Sequence, residues 1–300
     1  MMRAAADSFP GILGYWVHDL NPVLVEFTET LAIRYYGLAY VLGFVVAWGV
    51  FVLAERRGRS PLQSGELENL ISYLFFGVVI GGRLGYVLLY QTDSLWKDPL
   101  YILRVWEGGM ASHGGFLGVI VAVLLFARRY RHNVFQIADL MAIAAPPGLF
   151  LGRCANFING ELWGKVTDVS WAVIFPAAQT YPHFNPSAFT VYSEELDRIV
   201  NPRHPSQLYA AALEGLLLGL YLHARFWGTD RFRRVPGQIA GEFFVVYGLL
   251  RIVGEVFREP DASLLFGLSR GMFYSLFTIL GGIVLIAVAR HFAARNRLAT

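Results

Sequence analysis

Seven apolar stretches, each long enough to cross a bilayer as a helix, constrain this 300-residue sequence more than any other feature. A hydrocarbon core about 30 Å thick needs roughly 20 mostly apolar residues in a helix. The stretches run roughly over 31–54, 67–90, 110–127, 134–152, 206–225, 237–257 and 271–289. In the fourth, Asp139 and the pair Pro146-Pro147 interrupt the apolar run, which is tolerated where other helices or water satisfy the backbone. We therefore expect an all-α membrane protein with seven transmembrane helices.

The composition excludes most other classes of protein. Hydrophobic residues make up 55% and charged residues 16% of the chain, against about 25% charged residues in a typical soluble domain. So much apolar sequence also excludes a disordered chain. A disulfide scaffold is excluded because Cys154 has no partner cysteine in the chain. His113, His183 and His204 lack the spacing of metal ligands, so no metal site is expected.

The arginines of the predicted loops set the expected orientation. Arginine-rich loops follow the first, third, fifth and seventh stretches, whereas the loops on the opposite side have fewer basic residues. The rich loops contain Arg56, Arg57 and Arg59, then Arg128, Arg129 and Arg131, then Arg225, Arg231, Arg233 and Arg234, then Arg290, Arg295 and Arg297. Because basic loops stay in the cytoplasm, we expect the N-terminus outside and the C-terminus in the cytoplasm.

Residues 153–205 form the longest predicted outer segment. The segment is rich in proline and contains a β-prone run, Ser170-Trp-Ala-Val-Ile-Phe175. Such a pattern favours short strands and turns. We therefore expect residues 1–300 to form a single polytopic membrane domain, with a small mixed head inserted at 153–205 on the outer, periplasmic face.

Polar and ionisable side chains gather toward the outer ends of the predicted helices. Such groups are costly in a bilayer and are functional candidates. They include Tyr36, Arg83, His113, Arg153, Asn156, His204, Gln207, Arg251 and Glu255. Arg83, Arg153 and Arg251 are predicted to cradle a lipid phosphate, because the guanidinium fork matches phosphate oxygens bidentately. For Arg251 the alternative is an internal ion pair with Glu255, which follows four residues later on the same helix face.

His113 opens the run His113-Gly-Gly-Phe-Leu-Gly118, and two interpretations of this run stay open. A histidine with a pKa near 6.5 can act as a base at neutral pH. Alternatively, His113 is an interfacial histidine, and Gly114, Gly115 and Gly118 form a small-residue face for helix packing.

Several longer motifs together resemble the prolipoprotein diacylglyceryl transferase family. The most specific is Gly152-Arg-Cys-Ala-Asn-Phe-Ile-Asn-Gly-Glu-Leu-Trp-Gly164. The others are Arg34-Tyr-Tyr-Gly-Leu-Ala-Tyr40, Gly81-Gly-Arg-Leu-Gly-Tyr86, His113-Gly-Gly-Phe-Leu-Gly118, His204-Pro-Ser-Gln-Leu-Tyr209 and Tyr247-Gly-Leu-Leu-Arg-Ile-Val-Gly-Glu-Val-Phe-Arg258. The resemblance spans about residues 30–290, with the motifs in the family's order.

The resemblance implies an enzyme of the bacterial cell inner membrane with seven membrane spans. Such an enzyme transfers the sn-1,2-diacylglyceryl group of phosphatidylglycerol to the lipobox cysteine of a prolipoprotein. A thioether forms and glycerol phosphate leaves, in the first step of lipoprotein maturation. The implied partners are phosphatidylglycerol, a prolipoprotein signal peptide and membrane lipid. The resemblance implies no cofactor, no metal and no nucleic acid.

The resemblance also implies roles for individual residues. His113, Arg153 and Arg251 are the expected catalytic residues, with His113 as the candidate base for the substrate thiol. The expected substrate-binding residues are Tyr36, Arg83, Asn156, Glu161, Gly164, His204, Gln207, Tyr247 and Glu255. Within that set, Tyr36 and Tyr247 line the lipid site, Asn156, Glu161 and Gly164 shape the turn beside Arg153, and Glu255 orients Arg251.

One position departs from the family pattern. The family usually follows the His-Pro-Ser-Gln-Leu-Tyr run with glutamate, whereas this chain has Ala210 there. No role of that carboxylate can be carried over. Glu214, one helical turn further on, lies on a similar face and is the carboxylate available to replace it.

Two other function classes are weighed against the transferase. A transporter or flippase for an anionic phospholipid or phosphate would also use buried arginines, but it needs a polar path to both faces. The inner halves of the stretches offer little beyond Glu68 and Asp139 for such a path. An intramembrane hydrolase would need an activated serine or cysteine, and the chain has no Gly-x-Ser-x-Gly motif.

Overall fold

The computed structural model describes residues 14–27, 32–63, 65–104, 108–180, 182–260 and 262–298, most of which are helical. The helices are α1 (Tyr35–Arg56), α2 (Glu66–Tyr90), α3 (Thr92–Lys97), α4 (Ser112–Tyr130), α5 (Val134–Ile158), α6 (Ser206–Ala210), α7 (Leu218–Gly228), α8 (Arg231–Arg234), α9 (Gln238–Glu255) and α10 (Arg270–Leu298). A π-helical segment, Ala211–Leu217, joins α6 to α7. The strands are β1 (Trp16–Val17), β2 (Val23–Glu26), β3 (Ala32–Arg34), β4 (Val173–Ile174), β5 (Val191–Ser193) and β6 (Arg198–Val200).

Five of the described helices are long and apolar enough to cross a membrane. They are Tyr35–Arg56, Glu66–Tyr90, His113–Tyr130, Val134–Ile158 and Arg270–Arg295. Between 11% and 39% of the residues in their most apolar windows are buried inside the protein, so most of each window remains for contact with lipid. The fifth predicted stretch is helical through α6, the π-helical segment and α7, and α9 covers most of the sixth. Seven membrane crossings and their orientation stay predictions.

The interruption expected in the fourth stretch is absent. Helix α5 runs unbroken through Pro146 and Pro147. Proline removes a helix hydrogen bond and crowds the preceding turn, but packing against neighbouring helices holds this region. A Cβ on Gly43 of α1 would lie 3.5 Å from Gly148, and a Cβ on Gly219 of α7 would lie 3.3 Å from Pro146.

Contacts group the chain into two compact units. Unit 1 comprises Met1–Val46, Ala145–Tyr221 and Phe243–Ile283, and unit 2 comprises Ala47–Ala144, Leu222–Glu242 and Val284–Thr300. In unit 1, β1 pairs in parallel with β4, whereas β2 with β3 and β5 with β6 form antiparallel pairs. Val17, Ile174 and Val200 form a small core beneath these strands. The β-prone run 170–175 therefore forms a strand only at Val173–Ile174, and the position of this segment on the outer face stays a prediction.

A buried arginine ties the irregular part of unit 1 together. Arg203 is 1% exposed. Its Nη1 donates to the Gly164 carbonyl at 3.0 Å, and its Nη2 donates to the His183 carbonyl at 2.5 Å. Its backbone N–H also donates to the Val173 carbonyl at 2.9 Å. These bonds give the short strands and turns a common anchor despite their few ladder hydrogen bonds.

In unit 2, α2 and α4 pack backbone against backbone along a row of glycines. A Cβ on Gly118 would lie 1.9 Å from the Gly77 carbonyl oxygen, and a Cβ on Gly114 would lie 2.2 Å from that of Gly81. Gly115 faces away from this contact, since its nearest neighbour would be Val78 at 3.8 Å. The predicted small-residue packing is therefore present for Gly114 and Gly118, because only glycine permits such close approach of two helices.

The charged side chains inside unit 2 have structural partners. Asp139 accepts from the Gly237 and Ala240 backbone N–H groups at 2.8 and 2.7 Å, so it caps the N-terminus of α9. Arg225 donates to both carboxylate oxygens of Glu242, at 2.8 and 2.7 Å. These contacts explain how α5, α7 and α9 tolerate charge within apolar sequence.

Candidate active site

Two predicted site arginines in unit 1 meet on a single carboxylate. Arg153, in the last two turns of α5, donates to Glu214 Oε2 from Nε at 3.2 Å and from Nη2 at 2.9 Å. Arg251, near the end of α9, donates to Glu214 Oε1 from Nη1 at 2.9 Å. The Glu214 side chain is fully buried, and those of Arg153 and Arg251 are 18% and 15% exposed. Both carboxylate oxygens are thus used to hold the two guanidinium groups at one place.

Local helix geometry brings Glu214 to this position. Glu214 lies in the π-helical segment, a form that occurs mostly as single turns and frequently at functional sites. The next residue, Gly215, lets this segment approach α5 closely, because a Cβ on Gly215 would lie 2.5 Å from the Phe150 Cβ. The short distance between the two backbones brings the Glu214 carboxylate within reach of Arg153.

A second carboxylate, Glu255, holds the other side of Arg251. Arg251 Nη2 lies 2.5 Å from Glu255 Oε1, so the ion pair predicted from their four-residue spacing is present. Ser269 donates from Oγ to Glu255 Oε2 at 2.7 Å. Gly271 leaves room for this carboxylate, since an added Cβ would lie 2.5 Å from the Glu255 Cδ. Arg251 is therefore fixed by carboxylates on both sides.

The turn after α5 follows directly from the helix that contains Arg153. Asn156 donates from Nδ2 to Glu161 Oε1 at 2.7 Å, and the Glu161 N–H donates back to the Asn156 carbonyl at 3.1 Å. Gly164 donates to the His204 carbonyl at 2.9 Å. A side chain at Gly164 would crowd His204 and Phe257, both at 2.6 Å. The structure thus places three predicted site residues in one tightly packed turn.

His204 and Gln207 flank the start of α6. Gln207 donates from Nε2 to the Glu161 carbonyl at 2.6 Å. His204 Nδ1 lies 3.1 Å from the Tyr209 hydroxyl, which accepts a hydrogen bond from Trp171 Nε1 at 2.7 Å. Burial lowers the pKa of His204, opposed by nearby Asp168 and assisted by Lys165. Burial therefore favours the neutral form of the His204 imidazole.

A cavity with about 270 Å³ of empty space, part of it open to solvent, adjoins the two arginines. It is lined by Arg153, Asn156, Leu162, Ser206, Gln207, Ala210, Glu214, Arg251, Gly254, Glu255 and Arg258. In their charged forms, the three arginines and two glutamates leave one net positive charge. A cavity of this character suits a ligand with a single negative charge.

The remaining predicted site residues are not among those that line the cavity. Tyr247 of α9 is within hydrogen-bonding reach of Arg153. Tyr36 is half-buried at the start of α1, 5.3 Å from Tyr40 between ring centroids. Arg83 and His113 belong to unit 2, and His113 is an exposed residue at the start of α4. Their predicted roles stay predictions.

The guanidinium group of Arg83 is occupied by backbone. Arg83 is 2% exposed. It donates from Nη2 to the Tyr101 carbonyl at 2.6 Å, from Nε to the Ile102 carbonyl at 3.2 Å, and from Nη1 to the Gly108 carbonyl. Of the three arginines in the predicted cradle, Arg153 and Arg251 lie together on Glu214 within unit 1, and phosphate binding by them stays a prediction.

Six lining residues are not among the site residues predicted from the sequence. They are Leu162, Ser206, Ala210, Glu214, Gly254 and Arg258. Arg258 has a sequence signal, because it follows Glu255 by three residues on the same turn. Among the residues that the structure describes, no group of three or more His, Cys, Asp or Glu side chains could hold a metal ion.

Comparisons with known proteins agree with the motifs. The family model for prolipoprotein diacylglyceryl transferase matches residues 22–288. A phosphatidylglycerol–prolipoprotein diacylglyceryl transferase from Rhodospirillum rubrum is 45% identical over 276 residues, covering 90% of this chain and 93% of the relative. One from Pectobacterium atrosepticum is 43% identical, covering 96% and 97%. One from Cereibacter sphaeroides is 41% identical, covering 92% and 98%.

These findings define a membrane-embedded transferase. The chain belongs to the prolipoprotein diacylglyceryl transferase family, so the resemblance seen in its motifs is confirmed. A match over residues 22–288 includes all three arginines of the cavity and the whole of the turn after α5.

Proposed function

We propose that this protein transfers the diacylglyceryl group of phosphatidylglycerol to a cysteine thiol of a prolipoprotein. The observation that carries the proposal is the meeting of Arg153 and Arg251 on Glu214 beside a cavity with net positive charge. A phosphodiester has one negative charge, which complements that cavity. The family membership supplies the substrates that such a site acts on.

The charge changes along the reaction favour a cationic site. The thiolate sulfur attacks the glyceryl carbon next to the phosphate, a carbon–sulfur bond forms, and the carbon–oxygen bond breaks with its electron pair on oxygen. Glycerol phosphate leaves, and its phosphate gains negative charge as the bond breaks. Arg153 and Arg251 are held in place by buried carboxylates, so they stabilise this charge without first having to reorganise.

The nucleophile belongs to the substrate and must lose its proton. A cysteine thiol has a pKa of about 8.5, so a base or a cationic field is needed to form thiolate at neutral pH. We propose His113 as the base that accepts this proton. Substitution of His113 distinguishes a histidine base from a cationic field, because the field of the arginines would still favour thiolate in the absence of His113.

We also propose the finer features that the resemblance implies. The acceptor is the lipobox cysteine of a signal peptide, and the enzyme lies in the bacterial inner membrane with seven spans. Its N-terminus and the segment 153–205 are on the outer side, and its C-terminus is cytoplasmic. The arginine-rich loops after alternate stretches support this orientation.

A transfer assay tests the function directly. Purified protein in detergent receives phosphatidylglycerol and a synthetic lipobox peptide, and both glycerol phosphate release and peptide mass are followed. We expect a diacylglyceryl mass gain on the cysteine together with equal release of glycerol phosphate. A peptide with serine in place of cysteine should give neither product. Binding of the lipid without transfer would contradict the proposed transferase activity and favour a transporter.

His113→Gln in the same assay tests the base. We expect transfer to fall by about 10²-fold or more, the usual contribution of a general base. The loss should shrink as the pH rises toward the thiol pKa, since the thiol then ionises without help. Activity equal to that of the unsubstituted protein would show that the arginines alone activate the thiol.

A further inference from the structure

Gln207 presents a buried hydrogen-bond acceptor that no described residue of the cavity satisfies. The residue is 2% exposed and lies at the second position of α6. Its Nε2 donates to the Glu161 carbonyl at 2.6 Å. A carbonyl oxygen only accepts, so this contact fixes which way the amide faces. The Oε1 atom is buried and has no hydrogen-bond partner among the residues that the structure describes.

The neighbouring polar groups do not supply the missing donor. Ser206 uses its hydroxyl to donate to the Leu162 carbonyl at 2.9 Å. Asn156 uses its Nδ2 to donate to Glu161. Arg153 and Arg251 direct their guanidinium groups to Glu214, and glutamate carboxylates only accept. Buried acceptors are paired in native proteins. We therefore expect a ligand in the same cavity to donate a hydrogen bond to Gln207 Oε1.

We propose that Gln207 is a specificity-determining residue whose Oε1 accepts a hydrogen bond from a headgroup hydroxyl of phosphatidylglycerol. This inference rests on the proposed function. The headgroup glycerol is joined directly to the phosphate, so arginines that hold the phosphate leave a hydroxyl within a few bonds of it. Gln207 lines the same cavity as Arg153 and Arg251.

Charge and hydrogen bonding then select different features of the lipid. The net positive charge of the cavity favours anionic phosphodiesters over zwitterionic ones, although an ammonium headgroup also offers donors. Among anionic phosphodiesters, Gln207 favours those with a hydroxyl, because a headgroup without one leaves Oε1 unpaired. A site built to bond a hydroxyl strongly rejects the analogue that lacks it.

The experiment compares two donor lipids with identical acyl chains and charge. These are phosphatidylglycerol and phosphatidylpropanol, which has no headgroup hydroxyl. The readout is the ratio of their kcat/KM values in the transfer assay. We expect the unsubstituted protein to prefer phosphatidylglycerol by about 10-fold or more. Gln207→Met keeps the length of the side chain and should bring the ratio close to one.

A matched control is available in unit 1. Gln179 is 5% exposed and is not among the cavity-lining residues. Its Nε2 donates to the Phe175 and Asn201 carbonyls at 3.1 Å each, and its Oε1 accepts from the Asn201 N–H at 2.7 Å. Gln179→Met should lower stability without changing the donor ratio. If Gln207→Met does not fold, Gln207→Asn is tested instead. Its side chain is one methylene shorter, so the amide oxygen lies further from the headgroup, and the ratio of kcat/KM for the two lipids should also fall.

Each outcome bears on one proposal. An unchanged donor ratio in a Gln207 variant overturns the role of Gln207 while leaving the transferase intact. A loss of peptide affinity that is equal with both lipids also overturns it, and assigns the acceptor to the peptide. If the unsubstituted protein transfers from neither lipid, the proposed function itself fails.

Discussion

Arg83 lies within a predicted membrane span and Arg153 directly follows one, and the charges of these two arginines are accommodated in different ways. Arg83 donates to the backbone carbonyls of Tyr101, Ile102 and Gly108, so it fastens these residues to α2. Arg153 shares the Glu214 carboxylate with Arg251 beside a cavity that keeps one positive charge. A position in or next to a predicted membrane span makes an arginine a candidate site residue. Its hydrogen-bond partners then indicate whether its charge is left available to a ligand.

The largest effect on transfer should follow from removing the guanidinium group of Arg153. Arg153→Gln removes one of the two groups that stabilise the leaving phosphate, and we expect transfer to fall by about 10³-fold. Arg153→Lys keeps the charge without the planar fork and should recover only about tenfold of that loss. Glycerol phosphate release measures both. A lysine variant as active as the unsubstituted protein would reduce the role of Arg153 to charge alone.

The next effect should come from the carboxylate that joins the two arginines. Glu214→Gln keeps the shape but weakens the hold on both guanidinium groups, and we expect kcat to fall by about 10²-fold, the cost of a small misplacement. The cavity charge rises at the same time, so KM for phosphatidylglycerol should not increase. A steady-state titration with lipid separates the two constants. An increase in KM at constant kcat would contradict the positioning role.

A stability effect should distinguish two neighbouring glycines of α4. Gly118→Ala places a Cβ against the Gly77 carbonyl and should cost about 3 kcal/mol or more through forced separation of α2 and α4. Gly115→Ala meets nothing closer than 3.8 Å and should be neutral or stabilising by up to about 1 kcal/mol. Thermal unfolding in detergent measures both. Equal melting temperatures would refute the close helix contact.

The smallest effect should concern the turn after α5. Gly164→Ala requires His204 and Phe257 to move, and we expect a cost of about 1–2 kcal/mol together with reduced transfer. Gly152→Ala is the matched control, because nothing lies within 4 Å of the added Cβ. Melting temperature and transfer rate are measured for both variants. A control as impaired as Gly164→Ala would show that crowding by His204 and Phe257 is not the cause of the loss.

Much of the fold could be predicted because membrane helices and glycine contacts leave strong local patterns. The runs that form α1, α2, α4, α5 and α10 were evident from apolar length alone. The unbroken course of α5 through its two prolines was not evident, since glycines of α1 and α7, distant in sequence, pack against Gly148 and Pro146. The pairing of β1 with β4 was missed because two-residue strands have no periodicity to detect.

The candidate site was only partly predictable for a related reason. The four-residue spacing of Arg251 and Glu255 predicted their ion pair, which is a local feature. The departure at Ala210 drew attention to Glu214, but its contact with two helices depends on the π-helical segment, which has no simple sequence pattern. The expected position in the membrane also grouped Arg83 with Arg153, because the carbonyls that bind Arg83 come from residues well separated from it in sequence.

The most direct test of the central claim compares two arginines that each pair with glutamate. Arg251 bonds Glu214 and Glu255 beside the cavity, whereas Arg225 bonds Glu242 in unit 2. Arg251→Gln and Arg225→Gln are assayed for diacylglyceryl transfer per folded molecule. We expect Arg251→Gln to lose transfer by at least about 10²-fold, whereas Arg225→Gln keeps transfer and loses only stability. Equal transfer by the two variants would contradict the assignment of phosphate binding to this cavity.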